Sequence, residues 1–131
     1  MTEPKDLRYT ESHEWARRDE SEIVVGITAF AVKELQDLVF ITLPRAGARA
    51  ERGKRFGEIE SVKAVVDLFS PVTGTITAVN EALDRGLEVL AEDPYGKGWM
   101  IRVKPEGPAD AALAGLMDGA AYEKHTAQAH R

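Results

Sequence analysis

The chain has 131 residues, enough for one ordinary domain that buries roughly 70% of its unfolded-chain surface and too few for two separate cores. It contains no cysteine, which excludes a disulfide scaffold, an iron–sulfur or cysteine–zinc site and a cysteine nucleophile, so any sulfur redox chemistry must use an imported group. A formal net charge of −5, with 44% hydrophobic and 30% charged residues, describes a globular chain not composed for general nucleic-acid binding.

The opening stretch MTEPKDLRYT has neither an apolar signal segment nor an Arg/Ser-rich transit composition. No stretch approaches the roughly 20 apolar residues of a membrane span, and the expected location is the cytoplasm. Ile23, Val25 and Ile27 alternate with Val24, Gly26 and Thr28 and predict a strand. Ala31, Leu35 and Leu38 follow at i, i+4, i+7, with Thr28 as N-cap, and predict a short helix. Val39, Ile41 and Leu43 predict the next strand, with turn residues at Pro44, Gly47 and Gly53. A strand around 56–61 and another from Ala64 that stops near Ser70, before Pro71, flank Lys63.

Residues 75–80 are β-branched and short, and a turn of helix fits at 81–83 and again at 87–90. After the turn Asp93-Pro94-Tyr95-Gly96, the residues Trp99, Ile101 and Val103 alternate with Met100, Arg102 and Lys104 as a half-buried strand. Pro108 opens a helical stripe at Ala109, Leu113, Leu116 and Ala120. Gly115 and Gly119 weaken it by roughly 1 kcal/mol each, with a break near Asp118-Gly119. Many short strands at close spacing predict an all-β sandwich or barrel. We expect a single domain over 1–131, with its core at about 7–123 and a tail, 124–131, that frays.

The informative stretch is Gly57-Glu58-Ile59-Glu60-Ser61-Val62-Lys63-Ala64-Val65-Val66-Asp67. It places one lysine between two strand-like runs, where a hairpin turns. A lysine exposed on a rigid turn can be acylated on its ε-amine by an external enzyme. The alternative is a solvated charge that discourages edge pairing. A Schiff-base or nucleophilic lysine fits less well, because it needs a depressed pKa and Glu58, Glu60 and Asp67 act the other way.

Glu60-Ser61-Val62-Lys63-Ala64 resembles the lipoylation motif of the glycine cleavage system H-protein family. Other family-like fragments stand in register: Tyr9-Thr10-Glu11-Ser12-His13-Glu14-Trp15, Gly26-Ile27-Thr28, and Asp37-Leu38-Val39-Phe40 through Leu43-Pro44 and Gly47. Ser70-Pro71-Val72-Thr73-Gly74, Val79-Asn80-Glu81-Ala82-Leu83, Asp93 to Trp99 and Lys104-Pro105 continue the match, which covers roughly 7–123. Biotinyl domains would place methionines beside the lysine, where this chain has Val62 and Ala64. The lipoyl domains of 2-oxoacid dehydrogenases usually have Asp before the lysine and lack the Ser-His-Glu-Trp segment.

The resemblance implies a mainly β, lipoyl/biotinyl-type barrel-sandwich hybrid: two antiparallel sheets, short flanking helices and a C-terminal helical segment. It implies lipoate bound covalently as N6-lipoyllysine at Lys63, attached by a lipoate ligase or a lipoyl/octanoyl transferase. The protein would then be a carrier, not an enzyme. Its arm would take an aminomethyl group from glycine decarboxylase, give it up to an aminomethyltransferase, and be reoxidised by dihydrolipoyl dehydrogenase. Ser12, Glu14 and Asp67 would line the cleft that shields the cationic amine of the loaded arm. No catalytic residue, metal site, nucleic acid or membrane partner is expected.

The remaining polar residues take ordinary readings. His13 is expected to be a partly packed strand histidine, and His125 and His130 lie in the tail without metal-ligand spacing. Trp15 and Trp99 are expected as core or cleft walls, and Glu58 and Glu60 share a strand face without a converging acid–base partner. The chain departs from the family pattern at Ala29-Phe30-Ala31-Val32, at Gln36 where glycine is usual, and at Leu87 to Ala91. The cationic stretch Arg45, Arg49, Arg52, Lys54, Arg55 reads as a solvated loop face or as a surface that docks an acidic partner. These departures suit an alternative: an H-like lipoate-binding protein of bacterial sulfur oxidation, working with a heterodisulfide-reductase-like complex. A third reading is an unmodified β-sandwich interaction module.

Overall fold

Alternating apolar residues, stopped by glycine and proline, form strands here because one side chain in two can turn inward. The computed structural model describes residues 7–129. Its strands are β1 (Arg8–Tyr9), β2 (Glu14–Asp19), β3 (Glu22–Ile27), β4 (Leu38–Thr42), β5 (Arg49–Ala50), β6 (Arg55–Ser61), β7 (Val65–Phe69), β8 (Gly74–Val79) and β9 (Ile101–Pro105). The helices are α1 (Ala29–Leu35), α2 (Glu88–Glu92), α3 (Ala109–Ala112) and α4 (Gly119–Ala129), with a 3-10 turn at Glu81–Asp84. The strands pair antiparallel into a six-stranded sheet, β1-β2-β3-β9-β8-β5, and a three-stranded sheet, β4-β6-β7. This is the mainly β, two-sheet architecture with short helices that the resemblance implies.

Ile23, Val25 and Val103 of the large sheet meet Ile41, Ile59 and Leu68 of the small one in the main core. Each such side chain contributes roughly 1.5–3 kcal/mol when fully buried. β3 is buried on both faces rather than one. Behind it a second cluster joins Leu7, Tyr9, Trp15, Val24 and Tyr122. Gly26 faces the Trp15 ring, where a Cβ would come within 2.7 Å. On the small sheet Gly57 passes so close to the Thr42 carbonyl that a Cβ there would overlap it.

Thr28 caps α1 as expected, its Oγ1 accepting from Ala31 N–H at 3.2 Å. The helix ends before Leu38, which starts β4 instead. Gln36 stops it with φ 65° and ψ −112°, a conformation that costs an L side chain of order 1–3 kcal/mol and suits glycine. A glycine at this position would carry no such cost. The strand expected from Trp99 begins two residues later: Met100 is buried and donates its N–H to Val25 O at 2.8 Å before β9 opens.

The C-terminal stripe divides into α3 and α4 because Gly115 turns the chain at φ 84°. Met117 then exchanges backbone hydrogen bonds with Tyr9 at 2.8 and 3.0 Å. Asp118 caps α4 through Ala121 N–H. The helix continues to Ala129 and so includes most of the expected tail, 124–131. It is anchored by Tyr122, stacked on Tyr9 with ring centroids 4.5 Å apart and bonded to Thr28 Oγ1 at 2.6 Å. Residues 130–131 of that expected tail lie outside the described residues. Gln36→Gly is expected to stabilise the protein by about 1 kcal/mol, the relieved strain exceeding glycine's chain-entropy cost. A higher urea midpoint at unchanged m value would show this, and a midpoint at or below wild type would contradict strain at Gln36.

Candidate functional site

β6 and β7 form a hairpin whose tip is Ser61-Val62-Lys63-Ala64. Ser61 makes the tip rigid. Its N–H donates to Ala64 O at 2.8 Å, and its buried hydroxyl accepts from the N–H groups of Ala64 (3.1 Å) and Lys63 (3.3 Å). A short hydroxyl side chain can replace backbone partners in this way at a tight turn. The tip is also tied to the residue just before β4, since Val62 N–H donates to Asp37 O at 2.9 Å. Lys63 projects from this braced loop. It is exposed and among the described residues has no ion pair within 4 Å. Val62 and Ala64 frame it, and Glu60 lies exposed on the outer face of β6.

Glu14 is fully buried at the start of β2. Its Oε1 accepts from the hydroxyls of Thr10 (2.6 Å) and Ser12, and its Oε2 accepts from Phe69 N–H at 3.1 Å. Burial pushes its pKa above the ordinary glutamate value, and the hydrogen bonds from Ser12, Thr10 and Phe69 oppose that shift. Ser12 lies on the wall of a recess of about 290 Å³, together with Phe69, Arg52 and Met117. Ser12 and Glu14 are thus in contact. Asp67 is apart from them, two residues before Phe69 on the half-exposed face of β7. There it pairs with Arg55 Nε at 3.0 Å, and Arg55 also holds Glu58 at 3.0 Å.

Neither Thr10 nor Phe69 is expected at the site from the sequence, and Arg55 stands out there only as part of the cationic stretch. A pair of hydroxyl residues just before a glutamate is a local signal for Thr10. The Phe69 and Arg55 contacts depend on strand register, which no local pattern displays. The cationic stretch is mostly compensated: Arg49 pairs with Glu51 and Glu106, Lys54 with Glu51, and Arg55 with Glu58 and Asp67. Arg52 donates to Ala114 O at 2.9 Å. The loop-face reading therefore accounts for it.

His13 is partly packed as expected but lies in a bend just before β2 rather than in a strand, with Nδ1 2.8 Å from Tyr122 OH and its ring 4.8 Å from Phe30. Burial and the nearby His125 lower its pKa, against an opposing effect of Glu34. His125 Nε2 lies 2.9 Å from Glu11 O, and His130 is outside the described residues. Among the described residues no group of three or more His, Cys, Asp or Glu could hold a metal ion, and no helix is long and apolar enough to cross a membrane.

Because the fold raises the Glu14 pKa, the folded state holds that proton more tightly than the unfolded chain. Stability from this group is therefore greatest in acid and declines as pH rises from the ordinary carboxylate range through the raised value. Glutamine can keep the contacts, accepting from Phe69 N–H and donating to the two hydroxyls. Glu14→Gln is expected to gain stability relative to wild type as pH rises across that window, and urea titrations from acid to neutral pH measure it. Glu14→Ala leaves the Phe69 N–H unpaired beside a cavity and is expected to lose about 2–4 kcal/mol.

Comparison with known proteins gives a consistent result. The family described as "Glycine cleavage H-protein" matches residues 7–129. The glycine cleavage system H protein of Anaeromyxobacter sp. (strain K) is 50% identical over 123 residues, covering 94% of each chain. That of Magnetococcus marinus is 48% identical over 122 residues, 93% of this chain and 86% of the other. The crystal structure of a glycine cleavage system H protein from Mycobacterium marinum superposes with a TM-score of 0.86 at 37% identity, covering 95% of this chain and 99% of that one.

Proposed function

The chain belongs to the glycine cleavage H-protein family, and from that premise we propose that it serves glycine cleavage as a single-domain carrier, with lipoate attached as an amide to Lys63 Nζ. The observation that carries this reading is the hairpin tip: an exposed lysine without an ion pair among the described residues, on a turn braced by the Ser61 hydroxyl and by the Val62–Asp37 hydrogen bond. A protein without cysteine gains disulfide chemistry this way, since the lipoyl dithiolane supplies a redox-active sulfur pair. The residues present fit the group. Lys63 offers the amine, and the small Ser61 and Ala64 leave it open to an acylating enzyme.

In this reading the chain catalyses none of the reactions itself. Lys63 tethers, the braced hairpin sets the tether's origin, and the partners act on the cargo. Those partners are glycine decarboxylase, an aminomethyltransferase and dihydrolipoyl dehydrogenase, with a lipoate ligase or octanoyl transferase for attachment, in the cytoplasm. A fully extended lipoyl-lysine spans about 15 Å from Cα at ordinary bond lengths. Along β7, at about 3.3 Å per residue, Asp67 lies about 13 Å from Lys63 and Phe69 about 20 Å. A cationic cargo laid along this strand therefore meets Asp67 first, and Arg55 must yield that carboxylate to it. Glu14, whose oxygens are already engaged, acts by holding the Ser12 hydroxyl in place rather than by direct contact.

Relatives near 50% identity across almost the whole chain, all named for glycine cleavage, do not favour the sulfur-oxidation alternative. The test is glycine–bicarbonate exchange with a glycine decarboxylase, using protein whose lipoylation has been verified by intact mass. Wild type should support exchange, and Lys63→Ala should be neither lipoylated nor active. Absence of exchange from fully lipoylated wild type, beside an active control H protein, would overturn the assignment. Full function in Lys63→Ala would instead indicate an unmodified interaction module.

A further inference from the structure

Five large hydrophobic side chains are exposed among the described residues, and all five lie on the small sheet or its hairpin tip: Val39, Phe40 (61% exposed), Val62 (74%), Val65 and Val66. Register explains the clustering. Phe40 sits opposite Glu60 and Glu60 opposite Val65, so one row across the outer face of the sheet reads Phe40, Glu60, Val65. A register shift between Leu38 and Phe40 lets Val39 turn outward as well. Val66, opposite buried Ile59, belongs to the other face; isolated exposed hydrophobics are ordinary, but Val39, Phe40, Val62 and Val65 gathered around exposed Glu60 mark a contact surface. Lys63 stands at its edge.

We infer that this face is the docking surface of the enzyme that acylates Lys63, an inference that rests on Lys63 being the attachment site. The step itself sets the geometry. The neutral Nζ attacks the carbonyl carbon of lipoyl adenylate, a C–N amide bond forms, the acyl C–O bond breaks, AMP leaves with that electron pair, and Nζ gives up a proton to solvent. At that moment the enzyme's acyl carbon is at bonding distance from a side chain only about 6 Å long, so the enzyme must rest on the hairpin. A typical footprint of about 800 Å² per partner is a disc of roughly 16 Å radius.

Glu60 is three residues from Lys63, about 10 Å at the strand rise, and Phe40 is its direct cross-strand neighbour, about 5 Å away. The whole row therefore lies inside the footprint. Partners that act on the sulfurs work at the far end of the arm and are under no such constraint. The surface also specifies the partner's chemistry. An apolar patch should meet Phe40, Val62 and Val65, and cations should meet the exposed carboxylates of Asp37 and Glu60.

The test uses the full unmodified chain with a purified lipoate–protein ligase, lipoate and ATP, following acylation rate against carrier concentration by intact mass. Phe40→Ser and Val65→Ser, on separate strands, should each raise the carrier KM about tenfold, as truncating an interface anchor does. The kcat should stay within about twofold, and Phe40→Leu should restore most of the loss. Since both side chains are exposed, amide NMR spectra should retain the wild-type pattern. Acylation of Lys63→Ala would overturn the attachment site itself. If Lys63→Ala stays unmodified while both serine variants keep the wild-type KM, the docking face is wrong and the attachment site stands.

Discussion

The carboxylate of Glu14 joins the two sheets from inside. It belongs to β2 of the large sheet, yet its Oε2 takes the N–H of Phe69, the last residue of β7 in the small sheet. Its other oxygen gathers the hydroxyls of Thr10 and Ser12, so the loop before β2 is held by the same group. A buried carboxylate is costly unless its lone pairs are engaged, and here both oxygens are. The polar cross-link also has direction. Apolar contacts alone would let the small sheet slide over the core, whereas a hydrogen bond of fixed geometry sets where β7 ends and so where the hairpin projects.

From that anchored end, rigidity passes along the hairpin to its tip. β6 lies close enough to β4 that Gly57 has room for no side chain against Thr42 O. Ser61 and the Val62–Asp37 bond then close the turn. The result is a stiff base under a flexible side chain. A swinging arm benefits from this combination because the volume its end can search is defined by a fixed origin, and every partner finds the lysine in the same frame. The outer face of the small sheet is mixed: exposed Glu60 interrupts the run between Phe40 and Val65, and the next row carries Thr42, Glu58 and Asp67.

Electrostatics near the tip are graded rather than uniform. Lys63 stands without an ion pair among the described residues, while Arg55 ties together Glu58 and Asp67 further down the sheet. These pairs are half-exposed, so each is worth little to stability. Their effect is on availability: a carboxylate already paired with a guanidinium attracts a passing cation less. The cationic stretch that stands out in the sequence resolves in the same way, into local pairs with Glu51, Glu58, Asp67 and Glu106.

The sequence by itself determined the elements whose energetics are local. Thr28 announces the start of α1 because a side-chain oxygen three residues before a free N–H caps a helix wherever it occurs. Alternation and Pro71 delimit β7, and the isolated Lys63 between two strand-like runs marks the hairpin tip. The motifs around Lys63 also carry the family resemblance. Only the tertiary structure decided contacts between distant segments. Glu14 meets Phe69 across 55 positions, and Tyr122 holds α4 against Tyr9 and Thr28. Arg55 reaches Asp67 only in a register that includes the irregularity between Arg55 and Gly57. The division is physical. Caps, turns and strand alternation are settled by a residue and its near neighbours, whereas a buried carboxylate's partners and a strand's register follow from which surfaces the completed core brings together.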